Sequence, residues 1–336
     1  MKIGIIGAGR IGKVHLESVS RYVKGAEVVA MADPFLNAET EEFIKGFGVK
    51  KVSRDYKEIL ADKEIDAVLI CSSTDTHAPV SLEAIAAGKH VFCEKPVDHD
   101  IQNILKVKKA LEGSKVKYQV GFNRRFDHNF AAVRAAVEEG KIGALNVLKI
   151  CSRDPAAPPV SYIKVSGGIF LDMTIHDFDM VRFLSGDEVE SVYAMGGVLV
   201  DKGIGEAGDI DTAVITMRLK SGALAVIDNC RRAAYGYDQR AEAFGELGQV
   251  AVGNDTCSTA VISNKDGVTA EKPLYFFLER YMQAYVKEVS EFIDCVQKDK
   301  PVPVGIEDGL QAVRIGVAAK KSLAEGREVK LSEIEG

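Results

Sequence analysis

KIGIIGAGRIGKVHLESVSRYVKGAEVVAMADP, residues 2–34, decides the fold. KIGII reads as a short buried strand, and a helical apolar rhythm runs from the glycines to about Arg21. A second apolar strand, Glu27 to Ala32, ends in Asp33-Pro34. A glycine-rich turn alone says little. Here strand, G-x-G-x-x-G, helix, strand and acid follow one another in the order a dinucleotide-binding unit needs, with the acid 21 residues beyond Gly12. Gly7 makes the tight turn, Gly9 lets backbone approach a pyrophosphate, and Gly12 packs helix on strand. The helix start then offers free N–H groups and a positive dipole end to the phosphates. Asp33 accepts hydrogen bonds from adenosine ribose hydroxyls and repels a 2′-phosphate, which favours NAD over NADP. Its plainer alternative is a turn residue before proline.

Outward from this stretch, strand and helix keep alternating. Helices are expected over 35–46 and 55–62, and a buried strand over Asp66 to Cys71. The loop Ser72-Ser73-Thr74-Asp75-Thr76-His77 leads into a helix, with Asp75 or Thr76 as N-cap. Ligands in doubly wound sheets lie at the C-terminal strand ends, so Ser72 and Ser73 are cofactor-contact candidates. His77 sits beside them as a helix-start residue. His90 to Cys93 is the next strand, ending in Glu94-Lys95-Pro96, followed by a helix from Asp98 and a strand over Val116 to Val120. About six parallel strands make residues 1–121 an NAD-binding Rossmann domain. Its candidate cofactor residues are Gly7, Gly9, Arg10, Ile11, Gly12, Asp33, Ser72, Ser73, His77, Glu94 and Lys95.

Residues 122–336 read differently. A helix over Asp127 to Glu139, a strand near 144–152 and a proline-rich loop come first. From 189 to about 272 apolar residues alternate with period 2, and helices over 277–298 and 306–325 close the chain. An α+β domain with a large, mostly antiparallel open sheet is expected. The whole is therefore of the α/β class.

SGGIFLDMTIHDFDM, residues 166–180, reads as a helix in which Asp172, His176 and Asp179 share one face at i, i+4 and i+7. A carboxylate one turn from an imidazole can orient it and raise its basicity. A merely solvated helix face is the other reading. The remaining histidines, His15 among them, have no carboxylate or cysteine partner at a readable spacing.

Composition limits the partners. The net charge of −6 disfavours nucleic acid, and no apolar run approaches the ~20 residues a bilayer span needs. Six scattered cysteines form no CxxC pair, and Cys71, Cys93 and Cys230 lie in strand-like apolar runs, so reduced, buried thiols at these three, no metal site and a cytoplasmic location are expected.

GAGRIG (7–12), MADP (31–34), VFCEKP (91–96), GFNRRFD (121–127) and the D-x-x-x-H of residues 172–176 together resemble the Gfo/Idh/MocA family of sugar and polyol dehydrogenases, along the entire chain. RDPAAPP (153–159), AYGYDQR (234–240) and FLERY (277–281) resemble its bacterial inositol dehydrogenase branch. The resemblance implies that Lys95, Asp172 and His176 are catalytic and that Arg124, Asp154, Asp172, His176 and Tyr235 line a polyol site. It also implies a homo-oligomer, a tetramer built through the open sheet, acting in inositol catabolism. Asn123 departs from the methionine found in several members, which leaves the preferred stereoisomer open. Asp179 has two readings, touching substrate or only finishing the helix face. A dehydrogenase of another inositol isomer or an aldose, and a non-catalytic NAD-sensing regulator, remain as alternatives.

Overall fold

The computed structural model describes residues 1–335. These divide into two compact units, Met1–Phe126 with Met282–Val313, and Asp127–Tyr281 with Arg314–Glu335. No single cut in the sequence separates them. The helices Phe277–Gln297 and Ile306–Glu325 each begin in one unit and end in the other. Gly336, the end of the expected second domain, lies outside the described residues.

In the first unit, β1 (Lys2–Ile6), β2 (Glu27–Ala32), β3 (Lys51–Ser53), β4 (Ala67–Ile70), β5 (His90–Glu94) and β6 (Tyr118–Gly121) form one sheet in the order β3-β2-β1-β4-β5-β6. Every pairing is parallel. Strands covered on both faces have no polar side, which explains continuous runs such as AVLI in β4, buried throughout. The crossovers change direction between β1 and β4, so Gly7 and Ser72 flank the crevice where such sheets bind ligands. The helix after β4 spans Thr74–Ala86 with Ser73 as N-cap. The sequence had favoured Asp75 or Thr76. The extended backbone of Ser73 starts the helix earlier, and Thr76 Oγ1 donates back to the Ser73 carbonyl.

In the second unit, β7 (Leu145–Arg153), β8 (Val189–Gly197), β9 (Thr212–Leu219), β10 (Leu224–Cys230), β11 (Asp238–Gly245), β12 (Gly248–Val252) and β15 (Val329–Lys330) form a sheet in the order β12-β11-β7-β10-β9-β8-β15. β7 and β10 run parallel; the other neighbours are antiparallel. Period-2 alternation sorts the residues. Leu148, Ile150, Ile215, Ile227 and Ala243 are buried on the face covered by the helices His128–Glu138 and Ile175–Ser185. Val214, Leu224 and Phe244 stand exposed on the other face. β13 (Val261–Asn264) and β14 (Gly267–Ala270) make a separate exposed hairpin. Asp127 caps the helix His128–Glu138 by accepting from the Asn129 and Phe130 N–H groups, and it pairs with buried Arg280.

The stretch 166–180 departs from expectation. It forms two helices, Ile169–Asp172 and Ile175–Ser185, rather than one. Thr174 between them donates its hydroxyl to Asn229 Oδ1 at 2.6 Å, and Asn229 Nδ2 donates to Asp177 Oδ2 at 2.9 Å. This buried network fixes the break. Asp172 and His176 therefore do not share one continuous helix face.

Candidate active site

The nucleotide unit meets the demands of its glycine turn. Gly7 has φ +104°, and a Cβ there would lie 2.5 Å from the backbone of Cys71 and Ser72. At Gly12 a Cβ would lie 2.1 Å from the Gly7 carbonyl oxygen, so only glycine lets the helix Arg10–Tyr22 seat on β1. A Cβ at Gly9 would meet nothing within 4 Å, and Gly9 is the N-cap with no side chain closing the helix end. Open space before a helix N-terminus fits a pyrophosphate. Asp33 stands at the end of β2. Its carboxylate accepts from Ala8 N–H at 2.6 Å and Phe35 N–H at 2.8 Å. Those bonds tie the acid to the turn, and a carboxylate's remaining lone pairs can still accept from ribose hydroxyls.

Three other expected cofactor contacts have different settings. Ser72 Oγ pairs with Thr76 Oγ1 at 2.6 Å. His77 is buried, with its ring nitrogens 2.7 Å from the Pro96 carbonyl oxygen and 3.0 Å from that of Ser72. It clamps the loop after β4 to the Lys95–Pro96 turn, so this imidazole faces protein rather than a cofactor. Glu94 also points inward, with Oε1 2.7 Å from His15 Nε2. The sequence had left His15 without a partner; the pair spans 79 residues. The Lys95–Pro96 peptide is cis. Arg124 and Asn123 are buried in the 3-10 turn Asn123–Phe126 of the same unit.

In the second unit Asp172 is the centre of a polar cluster. Its Oδ2 accepts from Arg231 Nη1 and Nη2 at 3.2 Å each, and its Oδ1 accepts from Tyr162 Oη at 2.8 Å. Arg231 is 1% exposed and also lies 3.8 Å from Asp209. The chain reaches Asp172 through Gly168, whose φ of +82° and close approach to Asp209 Oδ1 leave no room for a side chain. Ile169 N–H donates to the same oxygen at 3.1 Å. Arg231, Tyr162 and Asp209 were not singled out as site residues. Of the adjacent pair Arg231 and Arg232, the structure buries the first and exposes the second. Asp179 is buried. Asp154 closes β7 with its N–H on the Cys230 carbonyl and its own carbonyl accepting from Ala233.

Tyr235 belongs to a second cluster. Its hydroxyl donates to Asp238 Oδ2 at 2.6 Å and accepts from Arg153 Nη1 at 3.2 Å. Burial alone would raise the Asp238 carboxyl, but hydrogen bonds from Arg240, Tyr235 and Asn254 outweigh it and hold Asp238 well below the usual carboxylate range. Burial and the bond to Asp238 raise the Tyr235 phenol. Asp172 is thus brought together with Tyr162 and Arg231, whereas Tyr235 stands with Asp238 and Arg153.

Comparison with known proteins gives this geometry a context. The model described as "Oxidoreductase family, NAD-binding Rossmann fold" in the Gfo/Idh/MocA group matches residues 1–122, and that of its C-terminal alpha/beta domain matches 134–331. The chain is 49% identical over 336 residues to the myo-inositol 2-dehydrogenase of Thermotoga maritima, covering 100% of both chains. It is 46% identical over 333 residues to the inositol 2-dehydrogenase of Rhizobium meliloti, covering 99% of each. Among solved structures it is similar to scyllo-inositol dehydrogenase from Lactobacillus casei with bound cofactor NAD(H) and scyllo-inositol. There the TM-score is 0.91 at 31% identity, over 99% of both chains.

Proposed function

The chain belongs to the Gfo/Idh/MocA oxidoreductase family, and from that premise we infer that it is an NAD-dependent inositol 2-dehydrogenase. It oxidises a ring hydroxyl of inositol to the ketone. One observation carries the reading: end-to-end likeness to inositol 2-dehydrogenases. Asp33, held by two backbone N–H groups at the glycine turn, supports NAD as the cofactor.

Bound NAD supplies the hydride acceptor. The chain handles the proton and the placement of the ring. We assign removal of the hydroxyl proton to His176, whose imidazole is a suitable base near neutral pH. Asp172, itself fixed by Arg231 and Tyr162, orients and balances that imidazole. Lys95 donates a hydrogen bond to the reacting oxygen. Arg124, Asp154 and Tyr235 supply the mixed donors and acceptors that a polyol, with a hydroxyl on every ring carbon, calls for. Residues 1–121 serve the cofactor, and residues 122–336 serve substrate and assembly. The exposed face of the large sheet, with Met195, Val214, Leu224 and Phe244, suits a homotetramer interface. All six cysteines are free and no helix among the described residues is long and apolar enough to cross a membrane, which accords with a cytoplasmic enzyme of inositol catabolism.

The test is a panel of inositol isomers and aldoses with NAD and NADP, following nicotinamide reduction. Myo-inositol with NAD is expected to give the highest kcat/KM. If an aldose is best and every inositol is inert, the substrate assignment fails. Lys95→Ala and His176→Ala are each expected to lower kcat by about 10² or more with NAD binding nearly intact.

A further inference from the structure

Three titratable side chains that the proposed chemistry does not use meet in the core of the nucleotide unit. His15 on the first helix and Glu288 on the helix Phe277–Gln297 are fully buried, and Glu94 at the end of β5 is 7% exposed. One nitrogen or oxygen atom from each lies within 4.8 Å of the others. Phe92 and Tyr285 set their rings edgewise against His15, at centroid distances of 5.1 and 5.8 Å. The surroundings are therefore apolar. His15 Nδ1 and both carboxylate oxygens of Glu288 have no hydrogen-bond partner among the described residues.

Charge decides the protonation. An ionised Glu288 would be a buried charge without a donor, beside a second carboxylate. Such a group costs several kcal/mol. Burial, and then the charge of Glu94, push the Glu288 carboxyl well above the usual carboxylate range. A protonated Glu288 is a neutral acid that sits beside the His15 ring and the Glu94 carboxylate without adding a second buried charge. His15 Nε2–H then donates to Glu94 Oε1 at 2.7 Å. Glu288, His15 and Glu94 thus make one buried cluster, joined by the His15–Glu94 hydrogen bond and with Glu94 at its β5 end.

That end lies directly under the proposed chemistry. Glu94 Oε2 accepts from the Lys95 N–H at 3.3 Å. Its carboxylate packs so closely on Gly121 that a Cβ there would stand 3.1–3.2 Å from it. His15 lies one turn beyond Gly12, on the helix whose start fits the pyrophosphate. We propose that His15, Glu94 and Glu288 are positioning residues for Lys95, a buried cluster that keeps a proton on Glu288 and fixes the β5 end on which the lysine stands. The kinetic half of this inference rests on the dehydrogenase reading; the proton half does not.

The test uses the full chain and its Glu288→Gln, Glu288→Ala and Glu94→Gln variants. Infrared difference spectra at neutral pH are expected to show a protonated-carboxyl band in the wild type that Glu288→Gln lacks. Glu288→Gln, whose amide can donate like the protonated acid, should keep kcat within about 3-fold, whereas Glu288→Ala should lose about 10-fold or more, within the ~10²-fold that misplacement of a catalytic group can cost. NAD affinity, read by nicotinamide fluorescence, should change little in either. Glu94→Gln keeps the shape and removes the charge; it should lower kcat similarly, and it stands in if Glu288→Ala does not fold. Absence of the infrared band overturns the proposal whatever the substrate. So does wild-type kcat in both Glu288→Ala and Glu94→Gln, or a stoichiometric divalent cation bound by the wild type and lost in Glu288→Gln. Inert wild type with every inositol, alongside an intact infrared band, would count against the substrate reading and leave the protonated cluster standing.

Discussion

Asp238 in the sheet unit and Glu288 in the nucleotide unit are both buried carboxylates, 1% and 0% exposed, and they lie in opposite charge states. Asp238 collects donors: Tyr235 Oη at 2.6 Å, Asn254 Nδ2 at 2.6 Å and Arg240 Nε at 2.7 Å. These more than cancel the cost of burial, and the group stays ionised. Glu288 has no donor and a carboxylate for a neighbour, and it holds its proton. Equal burial thus leads to opposite chemistry, because the donors set the sign.

The strongest way to break this contrast is to empty the donor-rich site. Asp238→Ala removes the acceptor of Tyr235, Arg240 and Asn254, and should cost about 3 kcal/mol in urea unfolding. A loss below about 1 kcal/mol would mean that the donors are satisfied elsewhere. Because the folded-state pKa of Asp238 is depressed, its stabilisation is present above the ordinary carboxylate pKa and fades as pH falls through the folded value. The gap between wild type and Asp238→Asn should therefore narrow in acid.

Asp33 is an intermediate case, a carboxylate with two backbone donors and lone pairs to spare. Asp33→Ser should weaken NAD and shift the NAD-to-NADP preference by about 10-fold or more, the scale of one lost charged hydrogen bond. Comparable use of both cofactors by the wild type would remove the basis for this assignment. Gly121→Ala is a gentler probe. Its methyl group would press on the Glu94 carboxylate and should lower kcat about 3- to 10-fold with Tm nearly unchanged, a small misplacement effect. An unaltered kcat would detach Glu94 from the reaction.

The smallest effect has the opposite sign. A raised folded pKa contributes stability below the unfolded value and loses it as pH rises through the folded one. Glu288→Gln removes that loss. Its Tm should match the wild type near pH 4 and exceed it by about 2–4 °C in mild alkali, the scale of 1 kcal/mol in a protein this size. Glu94, His15 and the thiols of Cys71 and Cys93 are the titratable neighbours, both thiols themselves pushed up by burial. A Tm advantage that grew toward acid would reverse the assignment.

The same contrast explains what could be read from sequence. The cofactor half was legible because Gly7, Gly9, Gly12 and Asp33 act within one stretch, where backbone geometry dictates residue type. The sheet of the second unit followed from period-2 alternation. The helix break at Met173–Thr174 did not, because its cause is Asn229, 55 residues away. Arg231 reaches Asp172 across 59 residues, and His15 reaches Glu94 across 79. No helical or strand period connects such positions. They meet only when sheets and crossovers fold together. Asp172 ends one short helix and His176 stands in the first turn of the next, a division that their i, i+4 spacing does not reveal.

The Glu288–His15–Glu94 cluster also has an evolutionary consequence. Three codons far apart in the gene build one buried cluster, so they cannot drift independently. Losing His15 first leaves two carboxylates in an apolar core with no mediator, a genotype that selection for folding would purge. Glu288 is the neutral member and can be exchanged first, for Gln, with little loss. Glu94, which also accepts from the Lys95 N–H, can change only after its partners have. Among descendants of this sequence the three positions should therefore turn over in a fixed order, and a lineage that has lost His15 should already have lost the acid at 288.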